Sequence, residues 1–163
     1  MSKPLVFLDV DGPLIPFGRS TGQYEVFTNA ELANPLLSRV DPSVGPRLLA
    51  LGGDLIWATT WLDEANECVA PLLGLPPLPV LTWPDSPDEE RDARAGRHRK
   101  TRRIVERAAG LPFVWIDDET TGADRRWVTA HHPGPALLHT VAPSAGLTAG
   151  DLDVIAAWVH QLR

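Results

Sequence analysis

Carboxylates stand in this sequence where apolar runs stop. Leu5-Val6-Phe7-Leu8 leads into Asp9 and Asp11, and Phe113-Val114-Trp115-Ile116 leads into Asp117 and Asp118. Four carboxylates gathered in one place repel each other, so a cation is expected among them. An all-oxygen donor set with room for water and substrate oxygens suits Mg²⁺. A third run, Leu55-Ile56-Trp57-Ala58, ends at Thr59 and Thr60, either of which offers a hydroxyl and a backbone N–H to a phosphate oxygen. Lys100 opens a later helical pattern and supplies a point charge, with Arg99 and Arg103 as neighbouring rivals for that role. Aspartate can itself act as a nucleophile and form an aspartyl-phosphate. The set therefore points to phosphoryl transfer, which needs an in-line nucleophile, a metal on the phosphoryl oxygens and positive charge nearby.

These groups are distant in sequence, so the fold must gather them. Apolar runs over 5–8, 55–58, 78–81, 113–116 and 136–141 predict strands. Helical patterns cover roughly 41–51, 63–73, 99–109 and 148–162, with a shorter turn near 124–130. This alternation predicts an α/β fold, a Rossmann-like three-layer sandwich around a five-stranded, mostly parallel sheet. Pro79 puts the third strand at an edge or a strand end. Ligands of such sheets bind beyond the carboxyl ends of strands, so the carboxylates and threonines would share one edge. Residues 13–40 read as an irregular excursion, with room for a small hairpin, and 84–98 as a polar connection.

The chain has 163 residues, 44% hydrophobic and 22% charged, which suits a single domain over 1–163 and excludes a mainly disordered one. Cys68 is the sole cysteine, so no internal disulfide is available and a reducing, cytoplasmic setting is expected; its helical apolar surroundings place it in the core. The first apolar run is too short for a signal peptide, and no stretch approaches a membrane span of about 18 residues. A net charge of −6 excludes a generic polyanion binder. Yet eight of the 15 Lys and Arg lie between Arg91 and Arg107. That segment reads either as a basic patch steering a polyanion to the site or as a solvated face paired with Asp88, Glu89, Glu90, Asp92 and Glu106. Trp61 and Trp83 follow the second and third strands, where they would stack on a base or pack in the core. Asp124 reads as a helix N-cap, and His131-His132 as part of a loop.

Asp9-Val10-Asp11-Gly12-Pro13-Leu14 resembles the first motif of the haloacid dehalogenase (HAD) superfamily, an apolar strand followed by DxDG. Thr59, Lys100 and Asp117-Asp118 resemble its second, third and fourth motifs, in the right order. The resemblance implies that Asp9 is the nucleophile and a metal ligand. It implies that Asp11 is the general acid/base and binds the metal through its backbone carbonyl. Thr59 and Lys100 would hold and neutralise the transferring phosphoryl group. Asp118 would complete the Mg²⁺ site, with Asp117 beside it as a partner of Lys100 or an alternative ligand. Thr60, Arg97 and Arg99 are further candidates for substrate contact. A second Asp at position 11 separates this pattern from the family's dehalogenases and implies a phosphatase. The spacings leave no room for a large cap, which suits a large substrate such as a nucleic-acid end, or a nucleotide. The WATTW and WIDDE segments also resemble small HAD domains associated with RNA repair. A phosphotransferase of the same chemistry and a non-catalytic nucleic-acid or protein-binding module are the alternatives.

Overall fold

Leu5–Leu8 forms β1 with all four side chains buried. A strand buried on both faces must be flanked by other strands and covered by helices. Here β1 lies between β2 (Asp54–Trp57) and β3 (Phe113–Asp117), and β4 (Ala136–Thr140) adds to β3. The order is β2-β1-β3-β4 and every pairing is parallel. The helices are α1 (Val44–Ala50), α2 (Ala70–Leu73, preceded by a π-helical turn over Ala65–Val69), α3 (Glu89–Arg94), α4 (Thr101–Ala108), α5 (Gly122–His131) and α6 (Ala149–Gln161). The computed structural model describes residues 2–163.

The two-residue period of the strands divides the core. Val6, Leu8, Leu55, Trp57, Val114 and Ile116 face one way, onto Leu48 of α1, Leu73 of α2 and Ile155 of α6. Leu5, Phe7, Ile56, Phe113 and Trp115 face the other way, onto Ile104 of α4 and Val128 of α5. The result is the expected three-layer α/β sandwich. Among the described residues no helix is long and apolar enough to cross a membrane.

Among the described residues the sheet has four strands, not five. The segment expected as a strand over 78–81 makes a single bridge, Val80 to Trp57. Trp57 N–H donates to Pro79 O at 2.9 Å and Leu81 N–H donates to Trp57 O at 2.8 Å. Pro76, Pro77 and Pro79 have no N–H to extend that ladder. The excursion after β1 carries a 3₁₀ turn over Pro35–Arg39, capped by Asn34, and no hairpin.

Two further expectations change. Thr121, not Asp124, is the N-cap of α5, and Asp124 is the reciprocal residue of that capping box. Asp124 is fully buried and also accepts from His98 N–H and Thr101 Oγ1, at 2.7 Å each. It thereby ties the start of α4 to the start of α5. His131 is the last residue of α5, stacked on Trp127, and His132 is its C-cap, buried against Phe113. The pair closes a helix instead of lying in a loop.

Asp92 of α3 is buried and accepts hydrogen bonds from both Arg97 and Arg102. Hydrogen bonding from Arg102 holds its carboxyl down at about 2, against the cost of burial and with help from Arg97. A depressed folded-state pKa contributes stability that is present above the unfolded value, near 4, and is lost as pH falls through about 2. The contribution is on the order of 2 kcal/mol at neutral pH. Asp92→Asn should therefore lower stability by about that much at pH 7 and by much less at pH 2. Urea denaturation at the two pH values measures it, and an equal loss at both would refute the ionic account.

Candidate active site

The chain leaves β1 for β2 on one side and later returns as β3 on the other. The crevice between the ends of β1 and β3 is thus the topological switch point, where parallel sheets bind ligands. Register pairs Leu8 with Ile116, and Asp9 N–H donates to Ile116 O at 3.0 Å, so Asp9 and Asp117 emerge level. By strand period both continue the face of Phe7 and Trp115, towards α4.

Lys100 is the N-cap of α4 and is buried. Its Nζ lies 3.3 Å from Asp9 Oδ1 and 2.9 Å from Asp117 Oδ2. Asp117 is fully engaged: Trp115 Nε1–H also donates to Oδ2, at 3.2 Å, and Glu119 N–H donates to Oδ1, at 3.0 Å. Asp118 differs. Its Oδ1 is buried and has no hydrogen-bond partner among the described residues. Gly12 makes its seat: φ is +99°, and a Cβ there would stand 2.7 Å from Asp118 Cγ.

Oxygens of Asp9, Asp117 and Asp118 lie within 4.8 Å of one another. With all three ionised, one ammonium leaves two negative charges uncompensated, the deficit a divalent cation would balance. Without a cation, burial pushes Asp9 up to about 8, opposed by Lys100 and reinforced by Asp117. Burial and the charge of Asp117 push Asp118 up to about 6. Burial also acts to raise Asp117, but the charge and hydrogen bond of Lys100 outweigh it and hold that carboxyl low. Crowded carboxylate oxygens, one of them without a hydrogen-bond partner, are a donor set that suits a hard cation.

The carboxylate of Asp11 lies outside that cluster and accepts from Trp61 Nε1–H at 3.2 Å. Thr59 is completely buried, with Oγ1 accepting from Trp61 N–H at 3.2 Å. Thr60 lines a cleft of about 350 Å³ together with Asp9, Asp11, Arg97, His98, Arg99 and Lys100. Arg97 reaches this cleft with its guanidinium already bound to Asp92.

His98 is a cleft residue that no motif spacing announces. Its Nδ1 accepts from Lys100 N–H at 3.1 Å, so in the neutral ring the proton sits on Nε2. Burial lowers its pKa and favours that neutral donor form. Its only sequence signal is its place two residues before Lys100. The basic segment resolves largely into the paired face. Arg91 meets Asp88, Arg94 meets Glu90, Arg97 and Arg102 meet Asp92, and Arg103 meets Glu106. Trp61 touches the site through Asp11, and Trp83 lies beside Lys100, its ring centroid 5.5 Å from Nζ. Cys68 is partly buried against the core.

No curated protein and no solved structure shows significant similarity to the chain. A family model does match, over residues 5–152, from the first residue of β1 into α6. Its description is the HAD domain in Swiss Army Knife RNA repair proteins. The matched span contains the whole sheet and every carboxylate of the cluster. The chain therefore belongs to the HAD domain family of the Swiss Army Knife RNA repair proteins.

Proposed function

We propose that this domain is a Mg²⁺-dependent phosphomonoester hydrolase that works through an aspartyl-phosphate at Asp9 and acts on phosphorylated nucleic-acid ends. The observation that carries this reading is the cluster of buried Asp9 and Lys100 with half-buried Asp118, whose Oδ1 has no hydrogen-bond partner among the described residues. The family description supports the substrate class, and the lone, unpaired Cys68 agrees with a cytoplasmic setting.

Asp9, Asp118 and the backbone carbonyl of Asp11 would hold the ion. Bound there, Mg²⁺ supplies charge neutralisation on the phosphoryl oxygens. Asp9 attacks phosphorus and the bond to the leaving oxygen breaks. Asp11, steadied by Trp61, donates its proton to that oxygen. Asp11 then takes a proton from water, which attacks the phosphorus of the aspartyl-phosphate and releases inorganic phosphate with Asp9 regenerated. Lys100 offsets the charge of Asp9 and the phosphoryl oxygens while Asp117 anchors its ammonium. Thr59 and Thr60 are the candidate hydroxyl and N–H donors to the phosphoryl group.

Phosphate release from an aryl phosphate and from end-phosphorylated RNA, with and without Mg²⁺, tests the proposal. Asp11→Asn should slow turnover by roughly 10²–10⁴-fold and let phosphoenzyme accumulate from an activated donor. If no phosphomonoester is hydrolysed with Mg²⁺ present, the reading as a binding module takes its place.

A further inference from the structure

Beside the catalytic cleft lies a cavity twice its size, about 700 Å³ against 350 Å³. Arg99 and Glu89 line both. The larger cavity holds Trp83, Arg102, Arg103 and the prolines 84 and 87. Two of its three arginines are spoken for: Arg102 binds Asp92, and Arg103 binds Glu106 and Thr82 O. Arg99 has neither an ion pair nor a hydrogen bond among the described residues. Its only polar contact is with the face of Trp83, whose ring centroid lies 5.8 Å from the guanidinium carbon. Trp83 is half-buried and packs at the edge of the α4-side core, so its position is held. The joint between the two cavities is therefore an unpaired, exposed cation beside an anchored aromatic ring.

Resting on the phosphatase reading, we propose that Trp83 and Arg99 form a subsite for the nucleotide next to the one being dephosphorylated. Trp83 stacks the neighbouring base, and Arg99 holds the phosphodiester linking it to the terminal nucleotide. A base offers a flat π-face to any aromatic platform, and stacking tolerates any sequence. The cavity does not attract a polyanion generally. Asp85, Glu89, Asp92 and Glu106 outnumber its arginines, so one phosphate is recognised and longer backbone is not tracked. The preferred substrate is then a single-stranded end of at least two nucleotides, and each further nucleotide adds little.

The experiment compares kcat/KM for a phosphorylated mononucleoside, di-, tri- and pentaribonucleotides, with the phosphate at either end in separate arms. The wild type should gain about tenfold from one to two nucleotides at one of the two ends, and then level off. In Trp83→Leu the dinucleotide-to-mononucleotide ratio should fall to near one, and in Arg99→Gln the salt dependence of the dinucleotide should flatten. No gain from the second nucleotide, or an unchanged ratio in Trp83→Leu, overturns the subsite while hydrolysis of the mononucleotide keeps the phosphatase reading. If nothing is hydrolysed, the phosphatase reading fails separately. Fluorescence anisotropy of a labelled, end-phosphorylated pentaribonucleotide then decides the subsite. Binding weakened about tenfold by Trp83→Leu supports it, and equal or absent binding overturns it.

Discussion

Asp9→Asn is expected to abolish hydrolysis, by roughly 10⁴-fold or more, while leaving the protein folded and at least as stable as the wild type. The amide is a poor nucleophile, and a group that acts at the reacting phosphorus is not replaced by its neighbours. Folding should not suffer, because burial already penalises the ionised carboxylate and pushes Asp9 up to about 8. Lys100 keeps its shorter contact, to Asp117, at 2.9 Å. Acid-quenched mass spectrometry should find a single phosphoryl adduct in the wild type and none in the variant. Thermal melts should show equal or higher Tm. Turnover in Asp9→Asn near the wild-type rate would remove Asp9 as nucleophile. Loss of activity together with loss of fold would leave the assignment to a second variant, Asp9→Glu, whose carboxylate keeps its charge but moves the attacking oxygen.

Chelation should give the other large effect. EDTA is expected to eliminate turnover and Mg²⁺ to restore it, with Ca²⁺ a poor substitute because its looser coordination misplaces the nucleophile. Asp118→Asn should shift the Mg²⁺ requirement upward on the order of 10²-fold. A thermal readout makes the test independent of catalysis. Mg²⁺ should stabilise the wild type by mass action, because it favours the ionised form of the crowded carboxylates and engages the unpartnered Asp118 Oδ1. In Asp118→Asn the metal-free protein should melt at the same or a higher temperature, since one crowded carboxylate is gone, and the Mg²⁺-induced rise should disappear. Full activity in EDTA, or an undiminished Mg²⁺ shift in Asp118→Asn, would refute the metal site.

Much of this was legible because it is local chemistry. Short apolar runs between helical patterns announce parallel strands, and β1, β2, β3 and β4 all lie where such runs predict them. The segment 78–81 is equally apolar but is interrupted by Pro79, and the missing N–H confines it to a single bridge. Asp124 reads as the cap of α5 in the sequence because a carboxylate at a helix start serves equally as cap or as reciprocal partner. Which it is depends on Thr121 turning back onto it. His98 had no signal, since a histidine in a charged connection acquires a role only through what packs around it.

By itself the sequence determined the alternation of strands and helices, the placement of Asp9, Asp11, Asp117 and Asp118 at strand ends, and the family pattern those residues carry. These depend on residue type and spacing along the chain. Only the tertiary structure decided how charge is shared among them. Parallel register sets Asp9 level with Asp117, and α4 brings Lys100 between them. Asp118, one residue past the end of β3, sits over Gly12 with one oxygen left bare. The same is true of the arginines. Ion pairing across α3 and α4 consumes most of a run that looks uniformly basic in sequence, leaving Arg99 unpaired at the joint between two cavities. Electrostatic compensation acts over a few ångströms in space, whatever the separation in sequence.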